Sequence, residues 1–143
     1  MNKELLLTDL TSRLRYKTVI YRGEKDYIGQ DDALLEGIDV ITGLCKLRCL
    51  PEGNVFVQDH FSNIIPCLRP MSSMTEEEKK EFELLGWKVD ELADNEPWVH
   101  CGSIGHVMAG INWLLAHHFD FNGLIPLGLA VEVTEEYNPY KQQ

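Results

Sequence analysis

The stretch Ser103-Ile-Gly-His-Val-Met-Ala-Gly-Ile-Asn-Trp-Leu-Leu-Ala-His-His-Phe-Asp-Phe-Asn-Gly-Leu-Ile125 constrains the fold more than any other part of the chain. On a helix of 3.6 residues per turn, Ile104, Val107, Met108, Ile111, Leu114, Leu115, His118 and Phe119 fall in one stripe, the pattern of a core-facing helix. Ala109, Trp113 and Ala116 lie opposite, so that side also lacks the charge of a solvent face. A central helix over 104–119, covered on both sides, is the expectation. Ser103 suits its N-cap, Gly102 permits the turn before it, and Gly123 suits a left-handed stop after it.

The other elements are expected around this helix. Leu6, Leu7, Leu10 and Leu14 share one side of a short N-terminal helix over 3–14, with Asn2 placed to cap it. Residues 16–21 and 33–41 read as strands, the second broken by Gly37. Cys45-Lys-Leu-Arg-Cys-Leu50 alternates most clearly, and Leu50-Pro-Glu-Gly53 suits a type I turn into a strand near Val55 to Gln58. Two prolines extend the segment from Ile64 to Pro70, and Met71 to Met74 is a loop. Thr75 followed by Glu78 has the capping-box form for a helix running to Leu85 and stopping at Gly86. Trp87 to Trp98 reads as an irregular acidic flap, and residues 128–134 as a closing strand. The sum is an α+β fold: a small antiparallel sheet packed against a long C-terminal helix, with a short N-terminal helix and a capped acidic helix. One domain is expected over 1–143, with a flexible tail from about residue 135.

Charge and cysteine usage narrow the function. The net charge is −10, yet residues 1–50 hold eight basic and eight acidic side chains. The excess lies between Glu76 and Glu96, where nine acids stand against Lys79, Lys80 and Lys88. Nucleic-acid affinity comes largely from clustered Lys and Arg, so no nucleic-acid partner is expected. No apolar run approaches the ~20 residues of a membrane span, which makes a cytoplasmic protein with no membrane partner the expectation. Cys45 and Cys49 would share a strand face about 13 Å apart, beyond disulfide reach, so the four cysteines are read as reduced.

Two segments, Leu68-Arg-Pro-Met-Ser-Ser-Met-Thr-Glu-Glu-Glu-Lys-Lys-Glu-Phe82 and Trp113-Leu-Leu-Ala-His-His-Phe-Asp-Phe-Asn-Gly-Leu-Ile125, resemble a group of small uncharacterised proteins of gut anaerobic bacteria and their phages and prophages. Glu4-Leu-Leu-Leu-Thr-Asp-Leu-Thr-Ser-Arg-Leu14 and Gly128-Leu-Ala-Val-Glu132 are similar too. The resemblance implies a bacterial or phage cytoplasmic protein of mixed α and β structure; it carries no catalytic residue across.

No catalytic set assembles from the residues. His106 and His117 lie within about 20° on the helix but roughly 16 Å apart along its axis, so they cannot share an ion. The least strained metal set is His100, Cys101 and His106 at the helix start. Cys101-Gly-Ser-Ile-Gly105 lacks the glycine two places before Ser103 that a hydrolase elbow needs. The expectation is therefore a non-enzymatic accessory protein, without cofactor, that acts by protein–protein contact, with itself as a homodimer or with another protein. Trp87 and Trp98, flanking the acidic segment, are its candidate contact residues. Two rivals stand beside it. One is a small hydrolase or metal-dependent enzyme using His100, Cys101, Ser103 and His106; the other is an acidic nucleic-acid mimic built on Glu76, Glu77, Glu81, Asp90, Glu91, Asp94 and Glu96.

Overall fold

A computed structural model describes the backbone of residues 2–22, 32–50, 55–91, 97–101 and 104–142; the side chains of residues 2, 88–91, 97–101, 104–106, 141 and 142 are outside the description. The chain divides into two compact units, Met1–Leu68 with Asn122–Gln143, and Arg69–Phe121.

The first unit opens with helix α1, Asn2–Ser12, so Asn2 lies inside the helix and not before it. Strands β1 (Val19–Tyr21), β2 (Ala33–Ile38), β3 (Leu44–Cys49), β4 (Phe56–His60), β5 (Ile65–Leu68) and β8 (Val131–Glu132) form one sheet in the order β4-β3-β2-β1-β5-β8. Every pairing is antiparallel except β5 with β8, which is parallel. The closing strand is thus two residues long, and the sheet is not purely antiparallel. Period-two alternation sets the buried face: Cys45, Leu47 and Cys49 point inward while Lys46 points out. Ile20, Ala33, Leu35, Cys45 and Leu47 pack with Leu6 and Leu10 of α1 and with Leu124. Burying each such Leu or Ile side chain stabilises the fold by about 1.5–3 kcal/mol. The helix in the sheet's own core is therefore α1, not the long C-terminal one expected from the apolar stripe.

On the opposite face, Val19, Cys67 and Val133 are covered by Tyr137 and Tyr140. The Tyr140 hydroxyl donates to the Cys67 carbonyl at 2.7 Å and accepts from Val19 N–H at 3.0 Å. Two aromatic anchors tie the stretch expected as a loose tail.

The second unit contains α2 (Glu76–Leu84), the hairpin β6 (Trp87–Glu91) and β7 (Pro97–Cys101), and α3 (Ile104–Ala116). Thr75 and Glu78 close the expected capping box: Glu78 N–H donates to Thr75 Oγ1 at 3.1 Å, and Thr75 N–H donates to Glu78 Oε1 at 3.0 Å. Arg69 reaches the same carboxylate in fork geometry, at 2.7 and 2.6 Å, and lies 4.2 Å over the Phe119 ring. Its backbone N–H donates to His118 O and its carbonyl accepts from Asp120 N–H, each at 2.8 Å. One arginine thereby joins the start of α2 to the end of α3.

The expected acidic flap is a two-stranded hairpin, with Trp87 opposite Cys101 and Glu91 opposite Pro97. Apolar Trp87, Val89, Trp98 and Val99 supply the strand chemistry that the surrounding acids hid from the sequence reading. Helix α3 is thirteen residues long and stops at Ala116, three short of the expected end. His118, at φ 64°, takes the left-handed position; its N–H donates to Leu115 O and Phe119 N–H to Leu114 O, both at 3.0 Å. This is a Schellman cap, with Phe119 against Leu114 as its apolar contact. The expected stripe is only partly buried, since Leu114, Leu115 and Phe119 are covered while Met108 is exposed. Trp113, on the opposite side, joins Phe82, Trp87 and Phe119 in an aromatic cluster with centroids 5.1–5.8 Å apart.

Gly110 is buried under the Trp87 indole, where a Cβ would lie 1.9 Å from Trp87 Nε1. Gly110→Ala must displace the indole, and a loss of about 1–3 kcal/mol is expected in denaturant unfolding, with a shift in tryptophan emission. For Glu78, burial disfavours the charge, but hydrogen bonds from Arg69 and Thr75 outweigh it and lower the pKa from 4.5 to about 2. A depressed folded-state pKa means the contribution is complete above pH 4.5 and fades as pH falls toward 2. Urea midpoints of the wild type and Glu78→Gln should differ at neutral pH and converge across that window.

Candidate functional site

The open side of the β3–β4 ribbon carries the most distinctive surface of the first unit. Arg48 is opposite Phe56, Lys46 opposite Gln58 and Leu44 opposite His60, so these six side chains share the face that α1 does not cover. Strand alternation puts them there, with Cys45 and Leu47 directed into the core. Lys46 Nζ lies 4.4 Å and the Arg48 guanidinium 5.2 Å from the Phe56 ring centre. The β2–β3 register shifts between Leu35 and Gly37, a bulge that turns Glu36 outward into an ion pair with Arg48. Beside this pair a cavity of about 400 Å³ is lined by Leu14, Lys17, Leu34, Leu35, Glu36 and Arg48. Its one lining carboxylate, Glu36, is engaged by Arg48.

The ribbon is also a sheet edge, since no described strand flanks β4 on its far side. Val40 and Ile41 protrude at the β2–β3 turn, which Asp39 holds by accepting Ile41 N–H at 2.9 Å and Thr42 N–H at 3.2 Å. Those two hydrogen bonds, Thr42 first, hold the Asp39 carboxyl below its ordinary pKa.

Several other polar groups of this unit bond to one another. Asp9 and Arg13 are fully buried, with Arg13 Nε donating to Asp9 Oδ2 at 2.7 Å and Nη2 to Oδ1 at 3.1 Å. Asn122 Nδ2 donates to the same carboxylate at 2.8 Å. Tyr137 donates its hydroxyl to Asp32, and burial first, then that bond, raise the Tyr137 pKa. Burial, with Asp32 adding, pushes the Cys67 thiol up to about 12; burial and Asp59 push Cys45 up to about 11. Such thiols stay protonated and unreactive at neutral pH. Cys45, Cys49 and Cys67 are free and buried, as expected.

His100 and Cys101 end β7 and His106 lies in the first turn of α3, but their side chains, like Ser103 as a whole, are outside the described residues. The same holds for the Trp98 side chain, whereas Trp87 stacks on Phe82 with centroids 5.2 Å apart. Among the described residues no group of three His, Cys, Asp or Glu side chains could hold a metal ion. His117 Nδ1 is 2.8 Å from Trp113 O, and its ring stacks on that indole at 4.0 Å. No described helix is long and apolar enough to cross a membrane. The sequence reading missed the ribbon surface; its signal was the apolar Val40-Ile41 pair between strands and the alternation of Leu44, Lys46 and Arg48.

The fold and this surface define an α+β protein with an apolar, cation-flanked sheet edge. No family model, no curated protein and no solved structure matches the chain.

Asp9→Ala leaves the Arg13 charge buried without its carboxylate and is expected to cost about 3–5 kcal/mol in urea unfolding. Replacing both residues by leucine should restore most of that loss, because the pair's desolvation offsets most of its attraction.

Proposed function

We propose that the protein is a bacterial or phage accessory protein that acts by protein–protein contact, docking its partner along the β3–β4 ribbon. The observation that carries this reading is the exposure of large apolar side chains on and beside the ribbon: Leu44 41%, Val55 54% and Phe56 45%, with Val40 65% and Ile41 93% in the β2–β3 turn. The other described ones, Ile65, Leu84, Met108 and Leu127, are scattered over separate elements. Single exposed apolar side chains are ordinary, but a group of them within residues 40–56 marks a contact surface. An unpaired edge adds backbone donors and acceptors to the apolar area, the combination used in strand addition.

A photoreactive benzoylphenylalanine in place of Phe56, irradiated in bacterial host cells, should give a light-dependent adduct heavier than the chain. The same probe at Leu127 should not. Absence of any Phe56 adduct, or one shared with Leu127, overturns the reading.

A further inference from the structure

Resting on that contact reading, we infer that the occupant of the β4 edge is a second copy of this chain, paired antiparallel through β4 about a two-fold axis at Gln58. Backbone parity supplies the first argument. Cys49 N–H donates to Val55 O and Phe61 N–H to Gly43 O, each at 2.8 Å, so the odd-numbered residues of this strand turn their peptide groups toward β3. In an antiparallel ladder the alternate residues, Phe56, Gln58 and His60, then direct theirs to the open edge. His60 N–H is already taken by Asp59 Oδ1 at 2.8 Å. Four of the five remaining groups match one another about Gln58, and the Phe56 carbonyl, whose ladder donor would be the His60 N–H, faces solvent at the rim. Each Gln58 N–H meets the Gln58 carbonyl of the second copy, and each Phe56 N–H meets the His60 carbonyl of the second copy, with the bond that Asp59 makes left intact.

Side chains supply the second argument. In this register Phe56 stands across from the His60 ring of the second copy, an aromatic cross-strand pair. Neutral Gln58 occupies the axis, where a charge would face its own like. Asp59 stands across from Val57 of the second copy and not from its counterpart. The chain carries −10, but strands β3 and β4 hold Lys46 and Arg48 against Asp59, so two copies meet where the acidic excess is absent. Pairing one patch with itself also closes the assembly at two copies.

The purified wild-type chain at submillimolar concentration should scatter light as twice its 16.4 kDa mass. Gln58→Lys, which sets two ammonium groups at the axis, should halve the mass while keeping the wild-type circular dichroism spectrum. Gln58→Cys, mildly oxidised, should form a dimer on a non-reducing gel, because Cα atoms about 5.5 Å apart in such a pair lie within disulfide reach. Ile65→Cys and the wild type, treated alike, should not. A wild-type dimer that survives Gln58→Lys, or a Gln58→Cys chain that cross-links no better than Ile65→Cys, overturns the edge pairing. A monomeric wild type with a Phe56 photo-adduct of some other mass overturns self-pairing and keeps the contact reading. A monomer with no adduct overturns both.

Discussion

Two opposite charges removed from water hold the first unit together. Asp9 and Arg13 stand one helical turn apart at the end of α1, and the Asp9 carboxylate also takes a hydrogen bond from Asn122. The Thr18 hydroxyl donates to the Arg13 carbonyl at 3.3 Å, where the chain turns from helix into β1. A buried charge is tolerated only when its partner is held in good geometry, so the pair fixes the helix end, the entry to the sheet and the returning chain at residue 122 together. With α1 set, Leu6 and Leu10 meet the inward residues of β1, β2 and β3. The outward residues of β3 and β4 are left to the surface that carries the proposed contact.

Arg69 has the corresponding place in the second unit, but works by branching. Its guanidinium grips Glu78 and covers Phe119 while its backbone bonds to the chain on both sides of Phe119. Around it, Phe82, Trp87, Trp113 and Phe119 pack as rings, and Gly110 allows the Trp87 indole to approach the helix backbone.

Features governed by nearest neighbours were legible in the sequence. Thr75 with Glu78, Gly86 with its positive φ, and the alternation of β3 all appear where the residues placed them. Features decided by tertiary packing were not. The Asp9–Arg13 spacing is that of an ordinary surface pair, and only the fold shows it to be buried. His118 adopts a backbone conformation usually given to glycine, so the helix end was placed too late. Acids masked the β6–β7 hairpin, and nothing local signalled that residues 131–132 run parallel to β5. Of the candidate surface, the alternation of β3 was visible, while its position at an edge depends on strand order, which no single segment encodes.

The first unit is discontinuous: residues 69–121 are synthesised between its two parts. At about 5–20 residues per second, β5 waits several seconds for the strand and the two tyrosines that will cover it. The intervening unit, Arg69–Phe121, is by contrast one continuous stretch of chain. Closing the first unit therefore means joining Cys67 to Val131 and Leu68 to Glu132 across the whole of the second, a non-local pairing of the kind that makes folding slow.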